Sequence, residues 1–267
     1  MPPEEVDSLR KMLDGLELKG ANTRPFKGLP VMEKAFFPGG NGLFEGSRGK
    51  LPIGGTLILG SNFGCVSDFV KEDGNLVRSD ETEISKTWIG RKPGYGLNAM
   101  LFRTPIILSE CFFTNAWPFL HEGRSNDASA LIKRWLNDQS LMKECKEIFM
   151  ATVSKVKPKL IVALGTGSSA FIGKVWKDEF GEWGGCTIAS MDRKPIGCVG
   201  FEDKVIVYAA ITHPSAHDLN AKRRREPYNS LPNSINGEVR LLIEAAERAG
   251  IANSTVDLQS AKRSPCT

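Results

Sequence analysis

Four short apolar runs punctuate the chain, and each gives way to a polar turn. Thr56-Leu57-Ile58-Leu59 ends at Gly60, Cys111-Phe112-Phe113-Thr114 at Asn115, Leu160 to Leu164 at Gly165, and Lys204 to Ile211 at Thr212 and His213. Such runs predict strands buried on both faces, as in a parallel sheet. Helical spacing fills the intervals. It is clearest from Asp127, a candidate N-cap, to Val156, a span long enough for two helices. Ser8 to Leu18 carries apolar Leu9, Met12, Leu13 and Leu16 at the same period, and Glu238 to Ala249 reads as a closing helix with Gly250 as its C-cap. Residues 37–55 are rich in Gly and Pro and read as loop, and Ala252 to Thr267 as a polar tail.

Strands alternating with helices predict the α/β class. The expected architecture is a three-layer α/β/α sandwich around a central, mostly parallel sheet of four strands. It would form one domain over residues 1–267, with its core at about 56–250. In such sheets ligands bind beyond the carboxyl ends of the strands. The four polar turns should therefore meet along one edge.

Composition narrows the class further. The chain has 267 residues, 41% of them hydrophobic, which is ample for one large core. No stretch approaches the ~20 apolar residues of a membrane helix, and Met1 to Arg10 has no apolar signal region. A cytoplasmic location is expected, or a nuclear or organellar one in a eukaryote, with no membrane partner and a monomeric state. Cys65, Cys111, Cys145, Cys186, Cys198 and Cys266 are scattered, without a C-x-x-C pair or a Cys/His cluster. Free thiols, no metal and no cofactor are the expectation. The net charge of +4 equals the charge of one run, Lys222-Arg223-Arg224-Arg225, since 35 basic and 31 acidic residues leave 31 of each outside it. A basic excess so local suits a nucleic-acid contact.

The turns carry the candidate chemistry. Gly60-Ser61-Asn62-Phe63-Gly64 permits a tight turn and close backbone approach to a ligand, with Asn62 projecting from the strand end. Asn115, in Thr114-Asn115-Ala116-Trp117-Pro118, offers both an acceptor and a donor, a match for the N3–H and O4 edge of a pyrimidine such as uracil. His213, in Thr212-His213-Pro214-Ser215, can donate a hydrogen bond to an oxygen that gains negative charge. Taken singly, each admits a structural role: an Asn caps its own turn, a lone His packs in a core, and a charge run is a solvated surface.

Taken together, the three turns resemble the uracil-DNA glycosylase superfamily. Gly60 to Gly64 is similar to its first motif, Thr114-Asn115 to the strand-end Asn that reads the base, and His213-Pro214-Ser215 to its H-P-S motif. Leu160 to Gly173 is similar to the strand and helix between them, and Trp88-Ile89-Gly90 sits where many members carry a stacking aromatic. The likeness runs from about Thr56 to Arg225. Asn62 stands where the most active members carry Asp, as in the mismatch-specific and single-strand-selective branches, and Phe63 replaces a Pro. The cysteine pairs of the iron–sulfur branches are absent.

The resemblance implies a monofunctional DNA glycosylase of base-excision repair. It would flip a damaged or mismatched base, uracil first, out of DNA and hydrolyse its N-glycosidic bond. Asn62 would orient the water and His213 would stabilise the departing base. Gly60, Phe63, Gly64, Trp88, Asn115 and Ser215 would line the base pocket. Leu219 would wedge into the vacated stack, and Lys222, Arg223, Arg224 and Arg225 would hold phosphates. Two other readings compete. One is a glycosylase-like protein that binds nucleic acid without catalysis. The other is a dinucleotide-binding enzyme, in which Gly165-Thr166-Gly167-Ser168-Ser169-Ala170 matches G-x-G-x-x-A and Asp192 contacts the ribose.

Overall fold

A computed structural model of the protein describes residues 23–25, 53–62, 97–107, 110–121, 128–214, 220–229 and 235–251. Strand β1 is Thr23–Pro25, β2 Thr56–Asn62, helix α1 Leu97–Leu101, β3 Cys111–Trp117 and β4 Phe119–His121. Helices α2 (Ala128–Asn137) and α3 (Gln139–Val156) precede β5 (Leu160–Leu164) and α4 (Gly165–Val175). Short helices α5 (Lys177–Phe180) and α6 (Ile188–Met191) lead to β6 (Ile196–Phe201), β7 (Lys204–Ile211) and α7 (Asn236–Arg248).

The central sheet has five strands in the order β3-β2-β5-β7-β6. Its first four are the four apolar runs, and they are mutually parallel. The expectation of four strands is corrected by β6, an antiparallel edge strand that forms a hairpin with β7 through Glu202 and Asp203. Its sequence, Ile196-Gly197-Cys198-Val199-Gly200-Phe201, hides it. An edge strand needs less apolar surface than a central one, and Cys198 and Gly200 face solvent. Gly197 lets the Phe180 ring lie on the strand, since a Cβ there would stand 2.6 Å from a ring carbon. A separate antiparallel pair joins β1 to β4.

Chain direction across the sheet reverses between the β2-to-β3 and β3-to-β5 connections. Right-handed crossovers therefore put their helices on opposite faces. The contacts agree: α2 touches α3 and α4, and α4 spans β2, β5 and β7, while α1 touches α7, which packs on β7. This is the three-layer α/β/α arrangement. The expected helix from Asp127 to Val156 is two, divided at Asp138, whose carboxylate caps α3 by accepting the N–H of Leu141 at 3.0 Å. Asp127, the expected N-cap, lies outside the described residues, as do the expected helix Ser8 to Leu18 and the tail 252–267. Helix α7 stops before Gly250, whose φ of +63° suits the C-cap role. Among the described residues, no helix is long and apolar enough to cross a membrane.

Candidate active site at the carboxyl edge of the sheet

The ladder register sets the height of each strand end. Leu59 stands level with Thr114 on one side and Ala163 on the other, and Ala163 stands level with Ala210. One residue further along, Gly60 pairs with Asn115, and Leu164 with Ile211. Beyond that level β2 runs on through Ser61 to Asn62, which pairs with Trp117, while β5 gives way to Gly165 and β7 to Thr212 and His213. All of these lie on the same edge of the sheet, the edge at which parallel α/β sheets bind ligands.

Glycines draw the strand ends together around the start of α4. Gly165 has φ of +83°, and a Cβ placed on it would sit 2.9 Å from Cβ of His213. Gly167 lies against Ser61, whose Oγ would be 2.6 Å from its added Cβ. The first turn of α4 is thus wedged between the ends of β2 and β7. Ser168 and Ser169 are fully buried and donate their hydroxyls backward, to the carbonyls of Leu164 and Gly165.

This packing weighs against a dinucleotide site. The glycines that would admit a pyrophosphate are occupied by Ser61 and His213. Asp192, the acid assigned to the ribose in that reading, is paired with Arg224 at 2.7 Å.

Two side chains of β3 keep buried polar atoms without a partner among the described residues, Trp117 at its Nε1 and Asn115 at both ends of its amide. Asn115 is 95% buried, being 5% exposed, and both its Nδ2 and Oδ1 lack a hydrogen-bond partner among the described residues. A buried unpaired amide costs roughly 1–3 kcal/mol, so native proteins seldom keep one without a reason. Its strand is held rigidly. Every residue from Cys111 to Trp117 is buried, and Trp117 packs against Trp135 and Phe171 with ring centroids 5.7 and 5.5 Å apart.

His213 follows β7 and is partly buried. Desolvation of its ring lowers the pKa from 6.5 to about 4, so the imidazole is neutral at pH 7. The backbone just before it is anchored from below: the N–H of Thr212 donates to Oε1 of Glu238 at 3.1 Å. Glu238 is fully buried in the first turn of α7.

The basic run divides. Lys222 and Arg223 are exposed on a short 3-10 turn, Ala221–Arg223, and Arg225 is exposed too. Arg224 is the correction. It is 3% exposed, its Nη1 donates to the carbonyl of Ala210 at 2.8 Å and lies 3.4 Å from Oε1 of Glu238, and its Nε meets Asp192. A guanidinium enclosed by two carboxylates is a structural element and does not reach a phosphate. A cavity of about 280 Å³ lined by Asp192, Arg225, Tyr228 and Arg248 lies beside this ion pair and includes neither Asn115 nor His213.

Of the other expected site residues, Gly60 and Asn62 close β2, though only the backbone of Asn62 is described. Phe63, Gly64, Trp88, Ser215 and Leu219 lie outside the described residues. Glu238 escaped the sequence reading although a signal was present: with Leu241, Leu242 and Ala245 it falls on the buried stripe of α7. An acid on an apolar stripe demands a cationic or N–H partner. Cys111 and Cys145 are buried thiols whose pKa burial pushes up, which makes them poor nucleophiles. No family model matches this chain, and no curated protein matches its sequence.

Proposed function

We propose that the protein is a DNA glycosylase that takes a flipped base, uracil first, into the carboxyl edge of the sheet and hydrolyses its bond to deoxyribose. The observation that carries this reading is Asn115, a buried amide whose donor and acceptor find no partner among the described residues. A pyrimidine with an N3–H donor beside an O4 acceptor satisfies both at once. The cost of leaving the amide unpaired is then recovered when the base binds.

The chemistry follows from the neighbouring strand ends. The bond between C1′ and the base nitrogen breaks with its electron pair going to the base, and the sugar gains oxocarbenium character. Neutral His213 donates to the base oxygen on which the charge collects, so its interaction is strongest in the transition state. Asn62, at the end of β2, holds the water that attacks C1′, and the water's proton passes to solvent. An amide is no base at neutral pH, so water is positioned but not deprotonated beforehand. Exposed Lys222, Arg223 and Arg225 supply charge for the DNA backbone.

The deciding experiment is a panel of single- and double-stranded oligonucleotides, each with one altered base, scored for abasic sites under single-turnover conditions. Abasic sites on the uracil substrate, lost in Asn115→Leu and in His213→Ala, support the reading. Tight DNA binding without base release from any member of the panel would replace it with a non-catalytic binding protein.

A further inference from the structure

Two carboxylates and one guanidinium meet beside the strand end that carries His213: Glu238 and Asp192 both pair with Arg224. Side-chain exposure is 0% for Arg224 and for Glu238, and 3% for Asp192. Taking three such groups out of water is costly, and a pair of apolar residues of similar volume would hold a loop with less penalty. What the ionic arrangement provides is geometry. Glu238 accepts from the backbone N–H of Thr212, one residue before His213. Arg224 fixes that carboxylate from one side and the carbonyl of Ala210, near the end of β7, from the other. Asp192 holds Arg224 by its Nε and also accepts the N–H of Arg225 at 2.9 Å. Both ends of the chain from 212 to 225 are therefore tied to one buried cluster.

We propose that Glu238 is a positioning residue for His213, its carboxylate holding the Thr212 amide so that the imidazole is presented at one height and angle on the carboxyl edge. Arg224 sets the position of Glu238, and Gly165 lies against the Cβ and backbone of His213 itself. This assignment rests on the glycosylase reading for its consequence, but not for its geometry. It assigns Arg224, although it lies in the basic run, to the histidine and not to DNA.

Two conservative variants separate reach from charge. Glu238→Gln keeps an acceptor oxygen at the same distance from Thr212 and removes the charge. Glu238→Asp keeps the charge and withdraws the acceptor by one methylene. Positioning predicts that Gln retains most of the single-turnover rate on a uracil oligonucleotide. It predicts that Asp loses roughly tenfold to a hundredfold, the usual cost of a misplaced catalytic group, with DNA affinity unchanged. In a His213→Ala background the Glu238→Asp loss should disappear, because the group it positions is gone. An equal loss in both backgrounds, or Gln more damaging than Asp, would overturn the assignment. The imidazole NMR signals of His213 give a readout that needs no activity. They should move in Glu238→Asp and stay in place in Glu238→Gln. Should the wild type release no base at all, the glycosylase reading fails. The positioning claim then stands or falls on those signals: unmoved signals in Glu238→Asp would end it.

Discussion

Gly165 lies against His213 so closely that the smallest side chain at position 165 would place a carbon 2.9 Å from the histidine Cβ. The contact joins the end of β5 to the end of β7 and sets a backbone wall against the Cβ and main chain of His213. Gly165 also has φ of +83°, a conformation that L residues other than glycine adopt only under strain.

Gly165→Ala should therefore suffer twice. Strain at the positive φ and the close contact should together cost about 1–3 kcal/mol of stability, measured by urea unfolding. Displacement of His213 should also lower the single-turnover rate of base release. A variant as stable as wild type would mean that the loop after β7 yields easily, and that His213 is not held by this wall.

The four members of the basic run should behave as two classes. Arg224→Ala leaves Glu238 and Asp192 as buried carboxylates without their cation, and breaking a buried pair in this way costs about 3–5 kcal/mol. Ala at Lys222, Arg223 or Arg225 should change stability by less than about 0.5 kcal/mol. Each of these three should instead flatten the log–log salt dependence of DNA binding by ~0.7–0.9 if it contacts a phosphate. Thermal melts and salt titrations of the four single variants separate the classes. A stable Arg224→Ala protein with a reduced salt slope would reverse the placement of Arg224.

That division marks where sequence pattern stops being informative. The four parallel strands were legible because each is an unbroken apolar run ending in a turn residue, and burial on both faces demands that pattern. Strand β6 was not, because an edge strand tolerates Gly197, an exposed Cys198 and Gly200. Asn115 was expected in the turn after its strand, but β3 runs on to Trp117, and the amide's lack of partners among the described residues is a property of the packed edge. Four consecutive basic residues look alike in one dimension. Which of them turns inward depends on Asp192 and Glu238, which the fold alone brings beside Arg224. The contacts of Gly165 and Gly167 likewise belong to tertiary structure: the same G-x-G-x-x-A spelling fits a phosphate loop and a packing wedge.

The pH dependence should follow the histidine. Its folded pKa of about 4 lies below the ordinary 6.5, so as pH falls the unfolded chain takes up the proton first. Its contribution to stability is complete above pH 6.5 and is lost as pH drops through that value toward 4. The stability of His213→Ala should fall less steeply over the same window. Between about pH 6 and 8 the imidazole stays neutral, and no carboxylate with an ordinary pKa titrates there, so the base-release rate should be nearly flat. An inflection near pH 6.5 that vanishes in His213→Ala would mean that the ring titrates as if in water.

Asn115 provides the sharpest separation of stability from function. Its amide is buried and has no hydrogen-bond partner among the described residues, so an apolar side chain of similar volume should relieve a desolvation penalty. Asn115→Leu is then expected to be as stable as the wild type or more so, by up to about 1–3 kcal/mol. The same change removes the donor and acceptor that would meet a pyrimidine, so base release on uracil should fall by orders of magnitude while DNA affinity changes little. Gains in stability with losses in activity are the signature of a residue kept for its ligand. Urea unfolding and single-turnover assays on one preparation test both halves. A large loss of stability in Asn115→Leu would mean that the amide serves the fold, and the pyrimidine assignment would lose its support.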